Sequence, residues 1–301
     1  MNRITQAIAT AAALVLFSFA AHAQAPARRP ITFQDLASIH RVSDPQISPD
    51  GLWVAYTVAT PDLPANHMAK NIWIVPASGG DPRQLTRTGS DERPRWSPDS
   101  KKIAFLSSRD GAGQIYVIPF DGGDPTRITF LSAGVDNELW SPDGKSLAFG
   151  ENSLNNQGSA VYVLDLKTRA PTKLTGSDGL YSPRWSPDGR YLAAIPLDSL
   201  ELMLFDFTTQ KWTELANLFV AYPTWSRDSR YLYFDGILDN QESYFRVQIN
   251  SGKLERIFSL KGFQAAGGAF GNWSGLAPDE SPLVVRDASI QEIYALDWDT
   301  P

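Results

Sequence analysis

Asp50, Asp99, Asp143, Asp188, Asp228 and Asp279 recur at intervals of 49, 44, 45, 40 and 51 residues. Six carboxylates could serve acid–base chemistry or hold a cation. Their neighbours assign them another task. Four stand in Ser48-Pro49-Asp50-Gly51, Ser97-Pro98-Asp99-Ser100, Ser141-Pro142-Asp143-Gly144 and Ser186-Pro187-Asp188-Gly189, with looser copies at Ser226-Arg227-Asp228-Ser229 and Ala277-Pro278-Asp279-Glu280. Pro presets φ at the second turn position, Asp suits the third, and Gly is favoured at the fourth. The repeated Asp is therefore read as a turn former.

Counting back from each Asp finds a second set. Six places before it stand Asp44, Arg93, Asn137, Ser182, Tyr222 and Trp273; four places before it stand Gln46, Arg95, Leu139, Arg184, Thr224 and Gly275. Glu138 lies between the two positions of its repeat. If equivalent positions converge, three Arg and two carboxylates make a poor cation cage. They make a better mouth for an acidic or polar peptide group, because guanidinium forks match carboxylates. The competing reading is that these groups satisfy one another in a wet tunnel. The candidate binding set is Asp44, Arg93, Arg95, Asn137, Glu138, Arg184, Tyr222 and Trp273. No catalytic residue, metal ligand or cofactor is assigned.

Acyl-serine chemistry needs a nucleophile elbow with Asp and His to follow. The chain has no Gly-x-Ser-x-Gly; in Gly271-Asn272-Trp273-Ser274-Gly275 the Ser is one place late. Beyond residue 23 the histidines are His40 and His67, both early. A cation-dependent lyase or lactonase working in a channel stays open as an alternative.

The elements that must position these residues follow from the same repeat. Trp96, Trp140, Trp185 and Trp225 stand three places before the Asp, with Ile47 and Leu276 in the outer copies. After each turn comes a continuous apolar run, such as Ile103-Ala104-Phe105-Leu106, and then a second, such as Ile115-Tyr116-Val117-Ile118. Runs apolar on both faces must be covered on both. A more polar strand closes the unit, as at Arg83-Gln84-Leu85-Thr86 and Thr172-Lys173-Leu174-Thr175. Four short antiparallel strands per roughly 45 residues form the blade of a β-propeller.

The expected fold is all-β: a six-bladed β-propeller of four-stranded antiparallel blades. The blades fall at about 43–87, 88–130, 131–176, 177–216, 217–258 and 259–301. The last lacks room for a fourth strand, and Arg29-Pro30-Ile31-Thr32 resembles Arg83-Gln84-Leu85-Thr86. Residues 29–33 are expected to close the ring as an N-terminal strand beside Ile293–Asp297, with a helical turn or two around Phe33–Ile39. Variable loops opposite the Asp turns are expected at 59–70, 107–113, 150–159, 235–242 and 258–270. They carry His67, Arg109, Asp110, Asn155, Asn156, Asp239 and Phe263.

Composition bounds the rest. Of 301 residues 43% are hydrophobic, enough for a packed core, and Cys is absent, which removes disulfides and thiolate chemistry. The net charge of −6 argues against a nucleic-acid partner. Arg3, an apolar run from Ile8 to Ala21 and the small-x-small Ala21-His22-Ala23 read as a signal peptide over 1–23. Residues 24–301 then form one exported domain, periplasmic or secreted, monomeric and without an integral membrane segment.

Arg184-Trp185-Ser186-Pro187-Asp188-Gly189 with its following strand resembles the repeat of TolB-like propellers and of propellers in the prolyl oligopeptidase family. Ile31-Thr32-Phe33-Gln34-Asp35-Leu36 and Val42 to Gly51 look like the start of acylaminoacyl-peptidase-type propellers. Ile290 to Trp298 is similar to the tails of propellers carried by bacterial winged-helix regulators. The resemblance covers residue 29 onward and implies the fold, without the peptidases' catalytic domain or TolB's α/β domain. The function expected is a non-enzymatic propeller binding a protein or peptide partner in the cell envelope. The alternative it implies is a propeller that docks or gates a separate hydrolase.

Overall fold

Each Ser-Pro-Asp turn is closed by its own side chains. Ser48 Oγ donates to Asp50 Oδ1 (2.5 Å), which also accepts from Leu52 N (3.0 Å), while Trp53 N donates to Ser48 Oγ (2.9 Å). The same three bonds recur around Asp99, Asp143, Asp188 and Asp228. In the sixth copy Ser281 replaces the missing serine, its hydroxyl donating to Asp279 Oδ1 at 2.6 Å. The serine hydroxyl, then the backbone N–H, holds the carboxyls of Asp50, Asp99 and Asp143 below the usual carboxylate range.

The fourth turn residue is left-handed in every copy, with φ of 75° at Gly51, 59° at Ser100 and Ser229, and 64° at Glu280. Glycine takes that conformation without cost; the other residues are compensated by bonds between units. Ser100 Oγ accepts from Asp50 N (3.1 Å), Ser229 Oγ from Asp188 N (3.0 Å), and Glu280 Oε1 from Arg227 N (2.8 Å).

A computed structural model describes residues 30, 32–151, 159–264, 266–268, 271–272 and 274–288. The chain divides into two units, 1–39 and 40–301. In the first, Thr32 is extended and caps helix α1 (Phe33–Ala37) through a capping box with Asp35. The helix thus begins at the last residue assigned to the closing strand. Residues 1–23, read as a signal peptide, together with Arg29, Ile31 and Ile293–Asp297, lie outside the described residues.

Among the described residues the second unit holds five four-stranded antiparallel sheets, each in chain order. They are β1 (Arg41–Ile47), β2 (Trp53–Asp62), β3 (His67–Pro76) and β4 (Arg83–Gln84); β5 (Asp91–Trp96), β6 (Lys102–Ser107), β7 (Gln114–Pro119) and β8 (Thr126–Arg127); and β9 (Val135–Trp140), β10 (Ser146–Glu151), β11 (Val161–Asp165) and β12 (Pro171–Lys173). The fourth holds β13 (Leu180–Trp185), β14 (Tyr191–Pro196), β15 (Glu201–Asp206) and β16 (Lys211–Asn217). The fifth holds β17 (Phe219–Trp225), β18 (Tyr231–Leu238), β19 (Gln241–Gln248) and β20 (Leu254–Ser259). Two-stranded pieces follow: β21 (Gly267–Gly268) with β22 (Gly271–Asn272), and β23 (Ser274–Leu276) with β24 (Pro282–Val284).

The continuous apolar runs feed two cores at once. On β6, Ile103 and Phe105 pack against the first sheet while Ala104 and Leu106 pack against the third. On β14, Leu192 and Ala194 face the third sheet while Ala193 and Ile195 face the fifth. First strands lie side by side in sequence: β1 with β5, β5 with β9, β9 with β13, β13 with β17, and β17 with β23. The repeated Trp joins them. Indole Nε1 of Trp96, Trp140 and Trp225 donates to the carbonyls of Gln46, Arg95 and Arg184 on the preceding first strand, at 2.9 to 3.0 Å. Trp185 departs from this, bonding Gly189 O in its own turn (3.2 Å) and stacking on Phe207.

Two expected loops are regular structure. The register of β2 with β3 runs unbroken to Asp62 opposite His67, leaving only residues 63–66 as the turn. Residues 235–242 likewise belong to a hairpin, turned by Asp239 and Asn240, both left-handed. Among the described residues no helix is long and apolar enough to cross a membrane.

Candidate functional site

The first strand of each four-stranded sheet carries a bulge at the place counted from the repeated Asp. Register slips between Ser43 and Gln46, Glu92 and Arg95, Tyr181 and Arg184, and Ala221 and Thr224, and on β9 between Asp136 and Leu139. At every slip one residue is left-handed: Asp44 (50°), Arg93 (59°), Asn137 (56°), Ser182 (54°) and Tyr222 (51°). A non-glycine residue held there costs on the order of 1–3 kcal/mol and re-aims its side chain, as bulges at functional sites do. Four of these residues precede Pro45, Pro94, Pro183 and Pro223; in the third sheet Glu138 takes the proline's place.

The two arginines of β5 are each paired across to a neighbouring sheet. Arg95 Nη1 donates to Asp44 Oδ2 (2.7 Å), and Gln46 Nε2 steadies the same carboxylate at Oδ1 (2.8 Å). Arg93 forms an ion pair with Asp136, and its backbone N donates to Thr57 Oγ1 (3.2 Å). Asp136 and Thr57 were missed by the sequence reading, although Asp136 lies one place from the counted position.

Arg184 differs. It is partly buried, and its Nη1 reaches the carbonyls of Pro183 (2.9 Å) and Ser182 (3.4 Å); no ion pair to a carboxylate is found for it among the described residues. Burial, then the positive charges of Arg95 and Arg93, pulls its guanidinium down to about 10. Glu138 is 1% exposed, and neither carboxyl oxygen has a hydrogen-bond partner. Burial pushes it up to about 7 against the pull of Arg95 and then Arg93. The phenol of Tyr222 is raised by burial and then by Asp235, itself buried and pushed up to about 6. Asn137 shares the bulge geometry, its N donating to Asp136 Oδ1 (2.7 Å). Trp273 lies outside the described residues.

The loop residues are mainly structural where they are described. Arg109 pairs with buried Asp91 (2.7 Å) and lies over the Tyr116 ring (4.4 Å). Asp110 accepts from the Tyr116 hydroxyl. His67 is an exposed strand end and Phe263 is partly buried; Asn155 and Asn156 lie outside the described residues. Among the described residues no three His, Asp or Glu side chains cluster as a metal site would need.

Repeated four-stranded antiparallel sheets, stacked face to face with their first strands adjacent, define a β-propeller module. The chain belongs to the family of the tricorn protease N-terminal beta propeller domain, which residues 61–266 match. It is 42% identical over 113 residues to dipeptidyl-peptidase 5 of Porphyromonas gingivalis, a match covering 37% of this chain and 16% of that protein. It spans less than a fifth of the length of the curated relatives of this peptidase type. TolB from Acinetobacter baumannii shares its fold at a TM-score of 0.54 and 18% identity, over 86% of this chain and 78% of that one. So does the acylaminoacyl peptidase of Pyrococcus horikoshii, at 0.60 and 14%, over 81% of this chain and 42% of that one. The peptidase matches fall in the propeller, and these 301 residues contain no Gly-x-Ser-x-Gly elbow.

Proposed function

We propose that the chain is an exported, monomeric, non-enzymatic propeller that binds a protein or peptide partner of the cell envelope, periplasmic or secreted. An acidic or C-terminal group of that partner enters the mouth formed by Arg93, Arg95 and Arg184. One observation carries the reading. Arg95 and Arg93 are neutralised by Asp44 and Asp136, whereas Arg184 donates from Nη1 to two carbonyls and forms no ion pair with a carboxylate among the described residues. A guanidinium so held is a ready partner for a bidentate carboxylate. Isothermal titration with paired peptides, identical except for a free or amidated C-terminus, tests it. Binding of the free acid alone, lost in Arg184→Ala, is expected; equal binding of both forms would refute it.

The same proposal includes six blades and closure of the ring by residues 29–33 beside Ile293–Asp297. Its support is the state of β1. Val42 is 65% exposed, while Val135, Leu180 and Val220 at the same repeat position are buried. Ile47 is equally bare where Trp96 and Trp140 are covered. A last blade lying against β1 would cover both.

A second reading, a propeller that docks or gates a separate hydrolase, is favoured by the peptidase names of the relatives. Co-expression with a neighbouring hydrolase and a change in its peptide-size preference would distinguish it.

A further inference from the structure

The four joints between consecutive four-stranded sheets are each filled by an apolar core. The fifth sheet meets β23 differently. At the last register pair before each bulge the second strands carry Thr57, Leu106, Gly150, Ile195 and Asp235. Thr57 shows which way this position faces, since its hydroxyl accepts from Arg93 N of the next sheet at 3.2 Å. Asp235 is the one carboxylate of the set, and it is 4% exposed. Its register partner on β19 is Tyr244, where the first three sheets have Ile72, Ile115 and Val161. The Tyr244 hydroxyl donates to Gly275 O on β23 at 3.1 Å. Ser274, next along β23, is near enough to favour the ionised Asp235 carboxyl, yet neither Asp235 Oδ1 nor Ser274 Oγ completes a hydrogen bond.

A buried carboxyl with an unmet oxygen keeps its proton more readily than one in water. Burial pushes Asp235 up to about 6 against the pull of Ser274, and Glu242 of β19 adds to the rise. The phenols of Tyr222 on β17 and Tyr244 on β19 also face it. β23 and β24 carry no charged residue, and no cation among the described residues acts on Asp235.

We propose that Asp235 and Tyr244 form a pH-sensitive latch that holds the β23–β24 hairpin on the fifth sheet, tight while Asp235 is protonated. The latch does not depend on the mouth. Asp235 holds its proton in the docked joint and releases it where the hairpin opens to water. Opening therefore becomes easier as pH rises from 3.8 to about 6, and levels off above that. Each unit of that span is worth about tenfold in the opening equilibrium. Hydrogen exchange read by mass spectrometry at about pH 4.5 and pH 7.5, corrected for the intrinsic rate, tests it. Peptides covering 274–284 should lose at least about tenfold more protection at the higher pH than those of β6 and β14. In Asp235→Asn the hairpin should be protected alike at both pH values, within about threefold, and Tyr244→Phe should weaken it at both. Retained protection of β6 and β14 shows that each variant is folded. A wild-type hairpin indifferent to pH, an equal fall in Asp235→Asn, or a Tyr244→Phe hairpin as protected as before would overturn the latch. So would an equal loss in β6 and β14, which would assign the effect to the whole fold.

Discussion

Replacing Glu138 by Gln should make the protein more stable at neutral pH, contrary to the usual cost of changing a buried residue. The carboxyl is buried without a partner and is pushed from 4.5 to about 7 in the folded chain. A raised acid holds its proton better folded than unfolded, so stability falls as pH rises from about 4.5 and levels off above about 7. The difference of some 2.5 units, at 1.36 kcal/mol each, is about 3 kcal/mol. Glutamine has no such titration and keeps the shape. Urea unfolding of both proteins at pH 4.5, 6 and 8 measures the effect, since every other titrating group is common to the pair. The gap should widen by about 3 kcal/mol in favour of Gln across that span. Parallel pH profiles would refute the burial argument. A Gln variant losing ground as pH rises would show that the ionised carboxylate is held by a favourable contact.

The remaining predictions concern the joints between sheets. Trp140→Phe leaves the Arg95 carbonyl without its indole donor and should cost about 1–3 kcal/mol in thermal or chemical unfolding, whereas Trp185→Phe should cost less, because its bond stays within one turn. At Ser100, Ala keeps the left-handed strain and loses the bond to Asp50 N, while Gly relieves the strain; Ala should be the less stable variant by about 1 kcal/mol. Deleting residues 24–34 should lower the melting temperature of the whole ring if the N-terminal strand closes it, and an unchanged melting temperature would sink that closure.

Much of the architecture was legible because the repeat is local chemistry. Ser, Asp and the following N–H groups complete each turn within six residues, so spacing alone located five first strands. It also placed Asp44, Arg93, Asn137 and Tyr222 at one equivalent position. Their left-handed φ was not legible, since the four bulge residues with Pro after them read simply as extended X-Pro pairs. The pairing of Arg93 with Asp136 and Arg95 with Asp44 depends on how neighbouring sheets are offset, which no single repeat records. The stretches 59–70 and 235–242 were mistaken for loops because Pro61 in β2 and Asp235-Gly236 in β18 are poor strand formers, although Ala59 and Asp235 are buried. Glu138 stood out in the sequence as a mouth residue, but only the packing shows that it fills a proline's place with its carboxyl unmet.

The central claim is that partners enter at the mouth and not at the Asp-turn face, and calorimetry on two double variants tests it directly. With a peptide ending in a free carboxylate, Arg95→Ala with Arg184→Ala should weaken binding by about 2 kcal/mol or more, as truncation at the centre of an interface does. Lys101→Glu with Lys145→Glu, on the turn face, should change it by less than about 0.5 kcal/mol. The reverse order would put the site on the other face and contradict the account.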